Sequence, residues 1–212
     1  MNADVKLYDY WRSSASYRVR IALNSLDIIY ERVPVDLLKA EHKGRENIAR
    51  NPQGLVPTLV LGDKILTQSL AIIEYLNETH PDAGFLPESP LGRQRVRALS
   101  YAIAMEIHPI CNMNVAAHVV SLTGDGDVAR GDWMRKFISE GLMSVELMLD
   151  HSETGAFCHG DTPGMADFCL VPQIYNAKRW GVELGNLPRV NEITERCNEL
   201  PAFVAAHPDQ VK

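Results

Sequence analysis

The sequence predicts an α/β domain followed by an all-helical domain. Short β-prone runs alternate with helical patterns up to His80, whereas strand-like runs with hairpin turns are missing after Leu91. Between them, Pro81–Pro90 is rich in proline and has a glycine, as linkers often are. At 212 residues the chain also exceeds a typical domain of about 100–150 residues. We therefore expect a first domain at residues 1–83 and a second at residues 91–212.

The first domain is predicted to run β-α-β-α-β-β-α. Its strands are short β-prone runs, its helices carry apolar residues at helical spacing, and Gly62-Asp63 forms a tight hairpin turn. The predicted elements are, in order, Val5–Tyr8, Tyr17–Leu26, Ile28–Val35, Leu37–Arg50, Val56–Leu61, Lys64–Thr67 and Ser69–His80. This order resembles the thioredoxin fold, in which a parallel βαβ half meets an antiparallel hairpin half.

The second domain is predicted to be helical throughout, because its apolar residues recur at helical spacing. The amphipathic stretches are Gly92–Leu122, Val128–Leu149, Met165–Trp180 and Arg189–Leu200. The acidic segment Thr123–Gly131 lacks the later bidentate glutamate of a calcium loop, so we expect an exposed turn there.

Composition and charge exclude several classes of function. The hydrophobic share of 46% is that of a globular protein, and the apolar runs fall far short of the roughly 20 residues of a membrane span. A formal charge of −6 argues against nucleic acid held by general electrostatics. The four cysteines show no CxxC spacing, so no metal site and no dithiol centre are expected. Without an export signal, the protein is expected in the cytoplasm.

The segment Arg12–Leu23 is the most informative part of the chain. Ser13 and Ser14 stand where a predicted strand ends and a helix begins. A helix N-terminus offers unpaired N–H groups and partial positive charge, which suit an anion. A serine hydroxyl there can donate to a thiolate and hold it ionised. Simple N-capping of the helix accounts for the same residues.

Two further segments carry polar backbone or side-chain groups at element boundaries. Pro57 stands at the mouth of a predicted strand, where a cis Val56-Pro57 bond is plausible and would turn the backbone of Val56 outward to pair with an extended peptide. Gln68-Ser69 begins the next helix and suits a carboxylate beside an ammonium. An ordinary cis-proline turn and a capped helix are the structural alternatives.

Together these segments resemble the glutathione-binding domain of the cytosolic glutathione transferases, and more narrowly their zeta class. The family signature, a Ser-Ser-Cys triplet followed by Arg-Ile-Ala-Leu, reads here Ser13-Ser14-Ala15, followed by Arg20-Ile21-Ala22-Leu23. The resemblance covers essentially the whole chain, continuing in Asn51-Pro52, Val56–Leu59, Gln68–Leu76, His108-Pro109, Gly160-Asp161, Ala166-Asp167 and Leu170–Gln173. It implies a thioredoxin-like N-terminal domain plus an all-α C-terminal domain.

The resemblance implies glutathione as the cofactor. Ser13 or Ser14 would hold the thiolate, Val56 would pair with the cysteinyl backbone, and Gln68 with Ser69 would take the γ-glutamyl end. The other residues implied to bind glutathione are Ala15, Ser16, Tyr17, Arg18, His42, His108, Asn112, Met113 and Asn114. A solvated surface histidine is the alternative for His42, and a packed core histidine for His108.

The activity implied is glutathione-dependent cis–trans isomerisation of maleylacetoacetate to fumarylacetoacetate. A thiolate adds to the cis double bond, leaving a single bond that rotates before elimination gives the trans isomer. The substrate carries two carboxylates, for which Arg12 and Arg179 are the candidates because arginine binds a carboxylate bidentately. A homodimer is also implied by the family.

Three departures from the family pattern bear on this expectation. Ala15 replaces the cysteine that follows the two serines. Met113 stands where relatives active on maleylpyruvate carry an arginine, and Asn114 stands where many isomerases carry one. This argues against maleylpyruvate as the substrate and leaves the substrate anion with fewer donors. Gly164 replaces the serine or threonine that caps the helix before Asp167, and the helix is expected to persist because this exchange costs only about a few tenths of a kcal/mol.

Three other functions share these residues. One is maleylpyruvate isomerisation in gentisate breakdown, and another is general conjugation of glutathione to halides. A non-catalytic binding or scaffold dimer is the third, and the intact Ser13-Ser14, Val56-Pro57 and Gln68-Ser69 argue against it.

Overall fold

The computed structural model describes residues 4–212, which divide into two compact units. The first unit contains the chain up to Phe85 together with Glu199–Lys212, and the second contains Leu86–Asn198. The first holds all four strands and the second is helical. The predicted fold class, an α/β N-terminal half and an all-α second half, is confirmed.

The first unit is built on a four-stranded mixed sheet. The strands are β1 (Val5–Asp9), β2 (Glu31–Pro34), β3 (Thr58–Leu61) and β4 (Lys64–Thr67), in the order β2-β1-β3-β4. β1 runs parallel to β2 and antiparallel to β3, which is antiparallel to β4. Three helices follow the strands in the chain, α1 (Ser14–Ser25), α2 (Arg45–Arg50) and α3 (Ser69–Thr79). The apolar core of this unit includes the fully buried Leu7, Val19, Ile21, Leu23, Leu59, Ile72 and Ile73.

The helix predicted over Leu37–Arg50 is mostly absent. Only a 3₁₀ turn at Glu41–Lys43 and the short α2 form there. The Asp36 side chain accepts from the N–H of Leu38 at 2.9 Å, and the Glu41 carboxylate accepts from the N–H of Asp36 at 2.7 Å. Such local side-chain bonds compete with helix formation. Ala40 then adopts φ 57°, which a helix cannot contain.

The second unit consists of helices, and its longest connection is residues 149–164 between α7 and α8. They are α4 (Pro90–Tyr101), a π-helical segment (Ala102–Ile107), α5 (His108–Ile110), α6 (Met113–Thr123), α7 (Gly126–Met148), α8 (Met165–Arg179) and α9 (Pro188–Glu199). The last helix of the chain is α10 (Pro201–Ala206), followed by a 3₁₀ turn at Pro208–Gln210. The core of the second unit includes Val96, Leu99, Ile138, Leu142, Phe168 and Leu170.

The predicted stretch Gly92–Leu122 is interrupted between α4 and α6. Pro109 has no N–H to continue the helical ladder, and Asn112 starts the next helix by accepting from the N–H of Asn114 at 2.9 Å. The turn expected over Thr123–Gly131 is also shorter than predicted, because α7 already begins at Gly126.

The helix after Gly164 forms as expected without a serine or threonine cap. Asp167 Oδ2 accepts from the N–H of Gly164 at 2.8 Å, so one half of the usual reciprocal capping pair remains. The other oxygen accepts from the N–H of Cys158 at 2.9 Å. Asp167 is buried, and this burial raises the pKa of its carboxyl above the ordinary value.

The second domain was expected to extend over residues 91–212, but Glu199–Lys212 packs with the first unit instead. Arg20 Nε of α1 donates to the carbonyl of Ala206 at 3.0 Å, and Asn24 Nδ2 donates to the carbonyl of Ala202 at 3.2 Å. Phe203 and Ala206 are buried. The apolar face of α10 is therefore covered by α1, a pairing of distant segments that helical periodicity cannot reveal.

Candidate functional site

The three segments singled out in the sequence meet at one end of the sheet in the first unit. Tyr8 of β1 lies opposite Thr58 of β3, and Thr58 lies opposite Thr67 of β4. Because β3 is antiparallel to both β1 and β4, the end of β1, the start of β3 and the end of β4 lie at the same end of the sheet. The chain beyond these points carries Arg12–Ser14, Val56 and Gln68-Ser69, in that order.

Ser13 is the N-cap of α1. Its Oγ accepts from the N–H of Ser16 at 3.2 Å, and its φ/ψ of −66°/120° is extended, as at most helix caps. The Ser13 hydroxyl is half-buried, whereas Ser14 is buried. A hydroxyl that accepts one hydrogen bond keeps its own proton for donation. Ser13 can therefore cap the helix and donate to an external anion at once.

Arg12 lies against two aromatic rings directly before this cap. Its guanidinium carbon is 4.7 Å from the Trp11 ring centroid, and Nη2 donates to the Tyr10 hydroxyl at 3.2 Å. Nε of Arg12 is buried and has no hydrogen-bond partner among residues 4–212. The rings fix a cation beside the start of α1 while leaving donor capacity on it. Sequence reasoning missed the contribution of Tyr10 and Trp11, although both precede the quoted segment.

Val56 lies directly before β3, and its peptide bond to Pro57 is cis, as predicted. Within the described part of the chain, neither the N–H nor the C=O of Val56 is hydrogen-bonded to another group. The loop before it is shaped by buried Asn51, which donates to the carbonyl of Leu55 at 3.1 Å and accepts from the N–H of Gln53 at 3.1 Å. Val56 therefore presents an unpaired backbone donor and acceptor beside the sheet end.

Gln68 and Ser69 form the start of α3. Gln68 adopts φ 67°, an unusual conformation for a residue other than glycine and one that clusters at functional sites. Its Nε2 donates to the Gln53 side chain at 2.7 Å, a contact not foreseen from the sequence. Ser69 is buried at the first position of α3, and its Oγ accepts from Arg18 Nη1 at 3.3 Å.

Other residues of the predicted glutathione set lie beneath or beside this surface. Ser16, Tyr17 and Arg18 are buried. The Tyr17 ring packs edge-on against the His207 ring, with 6.1 Å between the ring centroids. Ala15 is half-buried next to Ser14. His42 lies in the 3₁₀ turn before α2, where burial and, to a smaller extent, the charge of Lys43 lower the pKa of its imidazole.

The remaining candidates belong to the second unit. His108 begins α5 and is half-buried, Asn112 caps α6, and Met113 and Asn114 are exposed in the first turn of α6. Arg179 ends α8 with an exposed side chain whose Nη1 donates to Asn176 Oδ1 at 3.4 Å. Exposed positions 113 and 114 thus carry no cation, whereas Arg179 presents one.

A cavity of about 490 Å³ in the second unit is lined by His151, Thr154, Arg189 and Arg196, among others. Its arginines are already paired, Arg189 with Asp150 at 2.7 Å and Arg196 with Glu192.

Among residues 4–212, no cluster of three or more histidine, cysteine or acidic side chains could hold a metal. No helix in that range is long and apolar enough to cross a bilayer.

Comparison with known proteins identifies the family. The model for the N-terminal domain of glutathione S-transferases matches residues 3–78. The maleylacetoacetate isomerase of Rhizobium meliloti is 60% identical over 212 residues, which covers 100% of both chains. A holo structure of maleylpyruvate isomerase, described as a bacterial zeta-class glutathione S-transferase, matches with a TM-score of 0.94 and 41% identity over 97% of each chain. The chain belongs to the zeta class of the glutathione transferases.

The structure of a further relative contains two kinds of ligand. The maleylacetoacetate isomerase of Methylobacterium extorquens AM1 matches with a TM-score of 0.93 and 38% identity over 97% of each chain, and its structure contains malonate and glutathione. In the present glutathione transferase, the sheet end with Ser13, Val56 and Ser69 lies wholly within the part matched by the N-terminal family model.

Proposed function

We propose that this protein is a maleylacetoacetate isomerase that uses glutathione to convert maleylacetoacetate to fumarylacetoacetate, a step in tyrosine and phenylalanine breakdown. The observation that carries the proposal is the convergence of Ser13, Val56 and Ser69 at one sheet end. The relative that is 60% identical over its full length bears this name.

The polar groups at the sheet end match the chemical groups of glutathione and their sequence along the tripeptide. The unpaired N–H and C=O of Val56 suit a peptide laid beside the sheet like an added strand. The N-terminus of α3, with Gln68 and Ser69, suits the carboxylate and ammonium of the γ-glutamyl end. The start of α1 suits the sulfur. His42 is proposed to lie near the glycyl carboxylate, at the other end of the tripeptide.

Ser13 is proposed as the hydroxyl that keeps the glutathione thiol ionised. When bound, glutathione supplies a thiolate that adds reversibly to the cis double bond of the substrate. Ser13 donates its proton while accepting from the Ser16 N–H, and the N-terminus of α1 adds positive potential. Ser14 is buried and is the second candidate for this role.

Arg12 and Arg179 are proposed to bind the two carboxylates of the substrate. Arg12 is held by Tyr10 and Trp11 beside the start of α1, with donor capacity left on Nε. A guanidinium in this position also stabilises negative charge that develops on the substrate as sulfur adds. Arg179 is exposed at the end of α8. His108, Asn112, Met113 and Asn114, which belong to the second unit, are also proposed to bind glutathione.

The resemblance also leads us to propose a homodimer in the cytoplasm. Light scattering coupled to size exclusion should give twice the chain mass of 23.7 kDa. A single chain mass at micromolar concentration would contradict the proposal.

Maleylpyruvate isomerisation is the second candidate, supported by the zeta-class maleylpyruvate isomerase that is 41% identical. Position 113, where the resemblance implies an arginine in relatives active on that acid, is an exposed methionine here. Maleylacetoacetate is therefore the preferred substrate.

One assay separates these functions. Purified protein with glutathione would be given maleylacetoacetate, maleylpyruvate and a chlorinated conjugation substrate while absorbance is followed. We expect the highest kcat/KM on maleylacetoacetate and none without glutathione. Isomerisation of neither acid would reject the proposal, and a higher kcat/KM on maleylpyruvate would favour the second candidate.

A further inference from the structure

Two arginines of α1 are almost fully buried, which is unusual for this residue type. Arg18 is 1% exposed and Arg20 is 0% exposed. Arg20 is satisfied by Asp9 at 2.7 Å and by the carbonyls of Ala206 and Trp11. Arg18, two positions earlier, faces another direction and donates from Nη1 to Ser69 Oγ at 3.3 Å. The two buried cations therefore belong to different parts of the first unit.

The position of Arg18 connects the starts of two helices. Arg18 lies four residues after Ser14, so both are on the same face of α1. Helical side chains lean toward the N-terminus of their own helix, so the guanidinium of Arg18 reaches back toward the first turn of α1. Ser69, which it contacts, is the first residue of α3. A buried side chain of α1 thus bonds to the first residue of α3 at the sheet end.

The hydrogen bond has a chemical consequence for Ser69. A hydroxyl has one proton and two acceptor positions. Because Ser69 Oγ accepts from Arg18, its proton is available to another acceptor, and donation from a cation polarises the hydroxyl. Ser69 becomes a stronger donor, and a carboxylate is the acceptor that gains most from it.

We propose that Arg18 is a positioning residue, which fixes the Ser69 hydroxyl as a donor to the γ-glutamyl carboxylate and holds the starts of α1 and α3 against one tripeptide. The resemblance implies that Arg18 binds glutathione itself, but its side chain is buried, so Arg18 acts through Ser69 and does not touch the ligand. Its guanidinium also adds positive charge in a poorly solvated position, where screening is weak. The inference rests on the proposed function only in taking glutathione as the ligand.

The test compares four variants by calorimetric titration with glutathione: Arg18→Met, Arg18→Lys, Ser69→Ala and the double variant Arg18→Met/Ser69→Ala. Arg18→Met should weaken glutathione binding by roughly 10-fold or more, the usual effect of losing a charge-assisted hydrogen bond. Arg18→Lys restores a cation that can donate, so it should recover part of that loss. In the Ser69→Ala background, Arg18→Met should change binding by less than about 3-fold, because the acceptor is already gone.

Arg20→Lys is the matched control, since Arg20 is an equally buried arginine of the same helix that bonds elsewhere. It should lower the midpoint of thermal unfolding while keeping glutathione affinity within about 3-fold of wild type. If Arg18→Met does not fold, Arg18→Lys is compared instead in protein with Ser69 and in the Ser69→Ala variant. Arg18→Lys should then weaken glutathione binding by about 3-fold or more only where Ser69 is present.

Three results would overturn the inference: unchanged glutathione affinity in Arg18→Met, effects of Arg18 and Ser69 that simply multiply, or an equal loss of affinity in Arg20→Lys. A failure of the proposed isomerase function would give a different experimental result. Wild-type protein that binds glutathione but isomerises neither acid would reject the isomerase function while the Arg18 dependence of binding still holds. Wild-type protein that binds no glutathione would reject both.

Discussion

Arg20 Nη1 donates to Asp9 Oδ2 at 2.7 Å, and both side chains are fully excluded from solvent. Arg32 reaches the other Asp9 oxygen at 3.3 Å from the sheet side. Burial lowers the pKa of the Arg20 guanidinium, and the adjacent Asp9 charge opposes that effect. One carboxylate is therefore shared by two guanidinium groups where β1 ends.

Asp9→Asn should destabilise the protein by about 3–5 kcal/mol, because it leaves a buried guanidinium without a counter-charge. Urea unfolding followed by circular dichroism would measure the change. Asp63→Asn is the control, since Asp63 pairs with Lys64 on the exposed surface, and its loss should change the free energy of unfolding far less than that of Asp9. Equal effects of the two substitutions would contradict this interpretation.

Two glycines of α7 should respond oppositely to alanine. A β-carbon on Gly141 would lie 2.6 Å from Ile107 Cδ1 and closer still to Cγ1, within the packed interior. One on Gly131 would meet only the flexible end of Arg135. Gly141→Ala should therefore destabilise by about 1–3 kcal/mol, and Gly131→Ala should stabilise by up to about 1 kcal/mol. Thermal unfolding of both variants checks the sign.

Ser13→Ala should lower kcat at least about 100-fold if its hydroxyl holds the thiolate, with about 1 kcal/mol lost from the helix cap. Ser89 is the matched control because it caps α4 in the same way, accepting from the N–H of Gly92 at 3.0 Å. Ser89→Ala should lose similar stability and keep its activity. If Ser13→Ala is near wild type and Ser14→Ala is not, the role moves to Ser14.

Arg12→Ala and Arg179→Ala should each raise KM for the dicarboxylate about 10-fold or more, because each removes a charge-assisted contact to a carboxylate. The KM for glutathione should stay constant. Lys178→Ala, an exposed neighbour on α8, is the control and should change neither KM. An unchanged dicarboxylate KM in either arginine variant would remove that arginine from the substrate site.

Cys111 should react slowly with iodoacetamide near neutral pH. Burial raises the pKa of its thiol to about 11, so little thiolate exists at pH 8. The rate should rise about tenfold per pH unit between pH 7 and pH 10, whereas an ordinary thiol would level off near pH 9. Cys158, Cys169 and Cys197 are buried and should react only after unfolding. A plateau at pH 9 in folded protein would contradict the raised pKa.

Much of the fold could be predicted because local patterns agree with it. The alternation of strand and helix up to α3 and the helical character after Leu91 both follow from periodicity. The failure at Leu37–Arg50 has a local cause, since hydrogen bonds from the Asp36 and Glu41 side chains replace helical ones. Periodicity counts apolar positions and does not register such bonds.

The site was less accessible to sequence reasoning. The segments at Ser13, Val56 and Ser69 were found, but their convergence depends on the register Tyr8–Thr58–Thr67, which pairs residues far apart in the chain. Arg18 is implied by the resemblance to bind glutathione and Arg20 belongs to the family signature, but only the fold shows that both side chains are buried. Gln53 and the aromatic support of Arg12 are likewise products of tertiary placement.

The return of Glu199–Lys212 to the first unit makes that unit discontinuous in the chain. During translation α1 is synthesised before α10. The hydrogen bond from Arg20 Nε to the carbonyl of Ala206 can therefore form only after α10 has been synthesised. The first unit therefore cannot form all of its contacts until its last segment has been translated, although its sheet is translated first.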